Sequence, residues 1–307
     1  MEILSQMPPS RAGAVMHAAS SGKGAHGQYP LTLVTAYFEL GGKPEHPELE
    51  NPYPGWIRNF LPLVRWPLVV FCDEQSLGML KEARGDKPAV WRVTRLEDFY
   101  TYRYLDDLKR LSFPEEHAEV CITRSLVWHE KHHFLRQALS ENPFGSEMLF
   151  WCDIGVFRLE PDASWWTARR MRFRLLEDIE WPNLEVCRML PQDKVVLAGR
   201  CRDDKARPAG AWFGGAVEPS RRWCDAYYRR LGKRKQNGVF TSSEEHVMLS
   251  CWRRRRQLVH VISAHSVPYI GLLIGGSRAM AYKWYLLNGR RFPWRYLCRR
   301  IFSGPVR

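Results

Sequence analysis

A run of apolar residues that ends in a single carboxylate is the clearest candidate for chemistry in this chain. Phe150, Trp151 and Cys152 are followed directly by Asp153, and the segment continues through Ile154-Gly155-Val156-Phe157-Arg158. Parallel sheets place their ligand sites beyond the carboxyl ends of the strands. The pattern therefore indicates a buried strand that delivers an acidic side chain to the edge of a ligand cleft.

A long helix precedes this strand and carries cations on its apolar face. The spacing predicts a helix over residues 120–139, in which Lys131 and Arg124 lie on the stripe of large apolar side chains. A buried charge has to be paired. Asp153 is one candidate partner and the diphosphate of a bound nucleotide is another. A third interpretation is that the long side chains extend around the helix end into solvent.

The same helix contains a match to a metalloprotease motif. In His129-Glu130-x-x-His133, two histidines one helical turn apart could bind zinc while the glutamate activates water. On a helical wheel both histidines lie opposite Lys131, on a face that we expect to be solvated. No third ligand completes the site in the sequence. A zinc protease is therefore the least favoured of the functions considered.

Charge and cysteine content narrow the class of protein. The 307 residues have a formal net charge of +13, which favours anionic partners such as phosphorylated small molecules, acidic membranes or nucleic acid. The eight cysteines form no Cys-x-x-Cys pair. They are predicted to be reduced core residues of a cytoplasmic protein, one that could also bind the surface of a membrane.

Alternating strands and helices predict an α/β fold with a mostly parallel sheet and flanking helices. Thr35, Asp73 and Asp153 are then expected at the carboxyl ends of strands, which is the ligand-binding edge of such a sheet. The predicted strands are 31–38, 67–72, 89–93, the run before Asp153, 194–198 and 258–262. The predicted helices are 56–63, 76–83, 120–139, 165–174, 219–231 and 243–253.

The two ends of the chain differ in composition from its centre. Residues 1–28 are small, polar and rich in Gly and Ser, which predicts a disordered leader before a domain spanning 29–265. Residues 266–307 form a basic, aromatic, amphipathic segment. It suits either an interfacial helix on an anionic membrane or an ordinary terminal helix. Charges at Arg278 and Lys283 argue against a membrane-spanning segment.

Four short motifs resemble the HtrL/YibB family over about residues 31–265. They are Thr35-Ala36-Tyr37-Phe38, Trp128-x-x-Lys131, Asn142-Pro143-Phe144 and the segment from Trp151 to Arg158. The family itself resembles GT-A glycosyltransferases. The resemblance implies a single GT-A-like domain in which a Rossmann-like sheet binds a nucleotide sugar.

The resemblance also implies roles for individual residues. Asp153 takes the place of the first carboxylate of a D-x-D metal motif, but Gly155 replaces the second, so a requirement for Mn²⁺ or Mg²⁺ is left open. Arg124 and Lys131 would then neutralise the leaving diphosphate. His265 is a weak candidate for a metal ligand. The residues expected at the nucleoside are Thr35, Ala36, Tyr37 and Asp73.

Two segments further along the chain complete the implied site. The loop at Trp212-Phe213-Gly214-Gly215 would hold the donor sugar and the acceptor. Glu244 or Glu245 would deprotonate the attacking hydroxyl. Ser242-x-x-Glu245 also matches a capping box, which would stabilise a helix start without any chemistry.

These features favour a glycosyltransferase that moves a sugar from a UDP- or GDP-sugar to a glycan, glycolipid or glycoprotein. The alternative is an inactive GT-A-like protein that binds an anionic membrane or nucleic acid. That alternative rests on the lost second carboxylate and on three arginine-rich runs, at 169–174, 229–235 and 253–256. Nucleic acid is the less favoured ligand of the two, because no RNA-binding motif accompanies the runs.

Overall fold

The computed structural model describes residues 29–40, 53–156, 182–202 and 205–264, and a seven-stranded sheet runs through this part of the chain. Three of its strands, Leu31–Tyr37, Leu68–Cys72 and Met148–Cys152, are buried almost throughout, so they appear as nearly continuous apolar runs, as buried parallel strands do. The strands are β1 (Leu31–Tyr37), β2 (Leu68–Cys72), β3 (Ala89–Val93), β4 (Met148–Cys152), β5 (Val195–Arg202), β6 (Lys205–Ala216) and β7 (Val259–Ala264).

The strand order creates a crevice at one edge of the sheet. The order is β3-β2-β1-β4-β6-β5-β7. All strands are parallel except β6, which runs antiparallel to β4 and β5. The chain winds outward from β1 through β2 to β3, and then returns to place β4 on the other side of β1. The carboxyl ends of β1 and β4 therefore flank the topological switch point, where α/β sheets bind ligands.

Helices cover both faces of the sheet and divide the core into two clusters. One cluster lies beneath the helices Tyr53–Leu63, Glu74–Arg84 and Leu184–Met189, and the other lies beneath Ala118–Glu141, Val217–Gln236 and Glu244–Arg254. The helices are α1 (Tyr53–Leu63), α2 (Glu74–Arg84), α3 (Leu105–Lys109), α4 (Ala118–Glu141), α5 (Leu184–Met189), α6 (Val217–Gln236) and α7 (Glu244–Arg254). Short 3-10 turns cover residues 96–98, 100–104, 115–117, 154–156 and 256–258.

A sharp turn after α4 directs the chain into the strand that ends at Asp153. Asn142 adopts the left-handed conformation with φ 36°, which ends the helix. Its side-chain amide accepts a hydrogen bond from Ser146 N at 2.9 Å and donates one to Ser146 O at 3.0 Å. These two bonds fix the chain direction two residues before β4 begins.

The described sheet and its flanking helices confirm the predicted α/β architecture, which is consistent with a GT-A-like fold. One predicted element is wrong. The segment around Trp212, expected as a loop, forms the long strand β6. The predicted leader, the helix at 165–174 and the basic segment 266–307 lie outside the described residues.

Two further findings concern the described residues. Six cysteines in the described part of the chain are free thiols: Cys121 is half-buried, and the others are buried, namely Cys72, Cys152, Cys187, Cys224 and Cys251. None of the helices described is both long and apolar enough to cross a membrane.

Candidate active site

Lys131 lies between two carboxylates at the carboxyl edge of the sheet. Its ammonium nitrogen is 3.0 Å from Asp153 Oδ1 and 3.0 Å from Glu244 Oε1. It also donates a longer hydrogen bond, 3.4 Å, to the carbonyl of Gly210. The lysine and Glu244 side chains are buried, whereas Asp153 keeps 23% of its side chain exposed. Asp153 is therefore the member of this triad that a ligand can reach.

The strand β4 and its neighbour β6 hold Asp153 in place. Its backbone N–H donates to the carbonyl of Ala211 at 2.9 Å, which extends the antiparallel pairing of the two strands by one residue. Trp151, two residues earlier on the same face, donates its indole N–H to Asp153 Oδ1 at 2.8 Å. The carboxylate is thus oriented by two donors, the indole and the ammonium of Lys131.

The start of α7 supplies the other acidic side chains. Ser243 is the N-cap residue, but no side-chain capping bond forms there. Glu245 instead accepts a hydrogen bond from the Gly210 N–H at 3.1 Å. The capping-box interpretation is therefore wrong, and Glu245 joins the same network as Glu244 and Lys131.

Gly210 is the point where the strand and the helix meet. Its N–H binds Glu245 and its carbonyl binds Lys131. A Cβ atom at this position would lie 2.2 Å from Glu244 Oε1, far inside van der Waals contact. Only glycine lets β6 approach α7 closely enough for Glu244 to reach Lys131.

The electrostatics of the triad differ from those of a simple anion site. Burial lowers the pKa of Lys131, but Asp153 and Glu244 outweigh that effect and raise the pKa above its usual value. The lysine is charged, and its three donors are directed at protein acceptors. Two carboxylates against one ammonium leave the triad with one negative charge. Because its donors are already directed at Asp153, Glu244 and the Gly210 carbonyl, Lys131 does not fit the predicted role of holding a diphosphate.

The described residues do not fit a divalent metal site. They contain no group of three or more His, Cys, Asp or Glu side chains arranged to hold a metal ion. The ammonium of Lys131 takes the place that a cation would need between Asp153 and Glu244. His265, the weak candidate ligand, lies outside the described residues.

Aromatic side chains of β1 and α1 pack against one another next to the switch point. The rings of Tyr37 and Tyr53 are 5.7 Å apart, and those of Tyr53 and Trp56 are 4.9 Å apart. Gly155, in the turn after Asp153, packs so closely on Trp56 that a Cβ there would lie 2.8 Å from the indole. Gly155 therefore lets the turn after β4 lie against α1.

The predicted nucleoside contacts are only partly placed where a ligand could reach them. Thr35 is fully buried inside β1 and Tyr37 is 5% exposed, both on the sheet face that packs against α1. Ala36 is half-buried on the opposite face. Asp73 caps α2 by accepting from Ser76 N at 2.7 Å, and its second oxygen accepts from Glu39 N at 2.7 Å. Asp73 thus stabilises backbone at the sheet edge, and Thr35 does not fit a ligand contact.

The predicted sugar-binding loop does not fit that role either. Trp212 and Phe213 are buried on opposite faces of β6, where Trp212 stacks on Phe150 at 4.5 Å. A Cβ at Gly214 would lie 2.3 Å from Leu149 O, so this glycine permits close pairing of β6 with β4. Gly215, with φ 141°, continues the same irregular stretch of strand. All four residues are structural in the described chain.

The histidines of the H-E-x-x-H match are also structural. His129 uses both ring nitrogens, one with Tyr227 Oη at 2.6 Å and one with the carbonyl of Thr241 at 2.8 Å. His133 stacks on Tyr100 at 5.0 Å between ring centroids. Burial lowers the pKa of His129 and lowers that of His133 to about 4. The expectation that this face is solvated is wrong, and its contacts leave no room for zinc.

Glu130, the would-be catalytic residue of that motif, holds a neighbouring turn. Its carboxylate accepts from the backbone N–H groups of Tyr100 and Thr101, both at 2.9 Å, and from the Thr101 hydroxyl at 2.7 Å. Burial raises the pKa of Glu130 to about 7 although these bonds lower it. Glu130 therefore stabilises the 3-10 turn at residues 100–104.

Arg124 lies two helical turns before Lys131 on α4. Its guanidinium lies over the Trp128 ring, 5.1 Å from the centroid, and is half-buried. Seven residues of helix separate the two cations by about 10 Å. Arg124 is therefore not part of the triad, and its predicted contact with a diphosphate stays a prediction.

Sequence reasoning missed two residues that the site depends on. Trp151 could have been found, because a residue two positions before Asp153 in a strand shares its face. Gly210 gives no comparable signal. Its importance arises from an approach between β6 and α7 that only the folded chain brings about.

Neither a protein-family model nor a curated protein sequence matches the chain. The HtrL/YibB resemblance is thus without support from these comparisons. Among solved structures the chain is similar to mouse xyloside xylosyltransferase 1 in its apo form, with 11% sequence identity and a TM-score of 0.40. The match covers 76% of this chain and 84% of that one. At such a TM-score the likeness adds no weight to what the sheet and the site show directly.

Proposed function

We propose that the protein is a glycosyltransferase that uses a nucleotide-sugar donor. The observation that carries the proposal is the position of Asp153: a partly exposed carboxylate at the topological switch point, held by Lys131. A carboxylate at this position can bind the ribose or sugar hydroxyls of a nucleotide sugar, since the crevice there is the general ligand site of such sheets.

The charge of the triad supports a sugar at this position in preference to a phosphate. As the bond between the sugar and its leaving group breaks, positive charge develops at the anomeric carbon. A fixed site with one excess negative charge stabilises that charge. Because Lys131 is already paired, the diphosphate lies elsewhere in this proposal, with Arg124 as the candidate contact.

The two glutamates of α7 have different surroundings, and these suggest different roles. Glu244 is buried against Lys131 and acts as a positioning residue. Glu245 is half-buried, and its Oε2 makes no hydrogen bond within the described part of the chain. We assign Glu245 as the general base. The bond from the anomeric carbon to the diphosphate oxygen breaks, the acceptor oxygen bonds to that carbon, and the hydroxyl proton passes to Glu245.

A ligand screen tests this function. The melting temperature of the purified full chain is measured with a panel of nucleotides and nucleotide sugars, once with Mn²⁺ and once with EDTA. A ligand that binds only the folded state raises the melting temperature. A selective rise with UDP- or GDP-sugars is expected. Loss of that rise in EDTA would add a metal to the proposal, and no rise with any nucleotide would contradict it.

A further inference from the structure

A cavity of about 120 Å³ lies between α6 and α7, away from the candidate active site. Five cationic side chains line it: Arg229, Arg230, Lys233, Arg254 and Arg255. The lining includes no acidic residue from the described part of the chain. None of the five forms an ion pair with another described residue. The cavity is therefore a concentration of like charge without a counter-charge in the described structure.

The two helices build this cavity from sequence runs that are about twenty residues apart. Residues 229, 230 and 233 share one face of α6, and residues 251, 254 and 255 share one face of α7. Arg230 donates from Nε to Ser250 Oγ at 2.6 Å, which joins the helices beside the cavity. Cys251 forms part of the wall and donates weakly to the carbonyl of Ala226 at 3.6 Å. The two helices are thus joined beside the cavity at Arg230, while the other four cationic side chains are exposed to solvent.

The cavity is separate from the crevice at Asp153. Helix α7 begins with Glu244 at the carboxyl edge of the sheet, and Arg254 lies about 15 Å further along the helix axis. Strand β7, which follows α7, is parallel to β5 and therefore starts at the amino edge of the sheet. The end of α7 that lines the cavity thus lies towards the edge opposite Asp153. A ligand in the cavity is consequently not the donor of the proposed transfer reaction.

We propose that this cavity binds a phosphate group. Its volume suits one tetrahedral anion but is far smaller than the roughly 300–1,000 Å³ of a site for a whole drug-sized ligand. Arginine guanidinium groups are the preferred partners of phosphate oxygens. The repulsion among the cations is also visible in Arg230, whose pKa is lowered by burial and by Arg254 and Arg234. An anion would relieve this repulsion.

The phosphate can belong to a lipid headgroup or to a soluble molecule, and the test separates these sources. Thermal stability of the full chain is measured in inorganic phosphate and in chloride at equal ionic strength. In parallel, cosedimentation is measured with vesicles of phosphatidylcholine alone and of phosphatidylcholine mixed with phosphatidic acid. Specific stabilisation by phosphate together with sedimentation only on phosphatidic acid identifies a lipid headgroup. Stabilisation by phosphate without sedimentation identifies a soluble ligand.

Paired variants locate the site. Arg229→Gln with Lys233→Gln changes the α6 wall, and Arg254→Gln with Arg255→Gln changes the α7 wall. The matched control is Arg221→Gln with Arg222→Gln, which removes the same charge from α6 outside the cavity. Each cavity pair is expected to weaken phosphate binding roughly tenfold or more, since each removes two charge-assisted hydrogen-bond donors. The control pair should bind as the parent does.

Two outcomes would overturn the proposal. One is that phosphate stabilises the parent no more than chloride does. The other is that the two cavity pairs and the control pair weaken phosphate binding equally, which would show a diffuse effect of net charge. Equal weakening of binding to a single-stranded RNA oligonucleotide by all three pairs would also indicate such an effect. Because the cavity is remote from Asp153, either outcome leaves the glycosyltransferase proposal intact.

Discussion

Helix α4 carries two neighbouring sets of buried polar side chains, and burial affects the charge of the two sets differently. Lys131 is buried and charged, because Asp153 and Glu244 both contact its ammonium. His129 and His132 are buried and have pKa values lowered by burial, and no carboxylate of the described residues forms a hydrogen bond with either ring. Burial favours the neutral form of a side chain, and a nearby opposite charge can outweigh that preference, as it does for Lys131.

The difference separates the region that can do chemistry from the region that holds the fold. The lysine and its partners adjoin a crevice at the sheet edge, and Asp153 is exposed to it. The histidines and Glu130 join α4 to α6 and to the turn at residues 100–104. The motif that most resembled a catalytic signature is thus structural, while the less familiar lysine organises the candidate site.

Removing the charge of Lys131 is expected to have the largest effect. Lys131→Met leaves two carboxylates facing each other without a cation, which should lower the free energy of unfolding by about 3–5 kcal/mol. Urea unfolding measures the loss. Adding Glu244→Gln should recover part of it, because one of the two uncompensated charges is removed.

An exposed ion pair provides the control for that variant. Arg92 contacts Glu141 at the surface, so Arg92→Met should cost less than about 1 kcal/mol. If Lys131→Met cost no more than Arg92→Met, the triad would not be the buried ion pair described here.

A methyl group at Gly210 should disturb the same site from the backbone side. In Gly210→Ala the Cβ overlaps Glu244 Oε1, so the carboxylate must leave Lys131, at a cost of about 3 kcal/mol in unfolding free energy. Nucleotide-sugar turnover should fall with it. Gly78→Ala in α2 is the control, since nothing lies within 4 Å of its Cβ position. That change should stabilise the protein by about 0.5–1 kcal/mol, and similar effects of the two substitutions would contradict the described approach of β6 to α7.

A substitution at Glu130 tests whether this carboxylate stabilises the fold without a role in activity. Glu130→Gln places an amide N–H₂ against backbone donors, which should lower the free energy of unfolding by about 2 kcal/mol. Specific activity of the folded fraction should not change. A loss of activity with unchanged stability would contradict this structural role and would indicate that the H-E-x-x-H residues take part in catalysis.

The buried histidines should make stability depend on pH. Burial lowers the pKa of His132 well below its usual value. Below about pH 6.5 the unfolded chain therefore binds a proton at this histidine that the folded chain does not bind. Stability then falls as the pH falls, and His132→Phe should remove about 1.4 kcal/mol per pH unit of that slope. Phenylalanine retains the stacking between Phe213 and Tyr227, so the change at neutral pH should be about 1 kcal/mol or less. Parallel pH profiles for the two proteins would contradict a neutral buried histidine.

The sequence predicts the centre of the sheet well because β1, β2 and β4 are buried on both faces and therefore appear as clear apolar runs. It also places Asp153 correctly at a strand end. It fails at β6, where the glycines around Trp212 suggest a loop although they permit close strand pairing. It fails again on the helical wheel of α4, because this helix is covered on several sides, and a polar side chain there is not evidence of solvent.

Only one of the two carboxylate partners of Lys131 could be predicted from the sequence. Burial of a cation predicted an anion nearby, and Asp153 was correctly among the candidates. Glu244 is 113 residues away in sequence from Lys131. No local sequence pattern shows that the start of α7 will contact the middle of α4. Glu244 could therefore be proposed as a catalytic residue but not as the partner of Lys131.

Nucleotide-sugar affinity is compared between a variant at the end of β4, in the candidate site, and a variant in the structural part of α4. Isothermal titration with the best ligand from the screen is carried out on the parent, on Asp153→Asn and on Glu130→Gln. We expect Asp153→Asn to weaken binding roughly tenfold or more, because a charged hydrogen-bond partner is lost, and Glu130→Gln to leave the affinity unchanged. Unchanged affinity in Asp153→Asn would contradict the assignment of the switch-point carboxylate to the donor sugar.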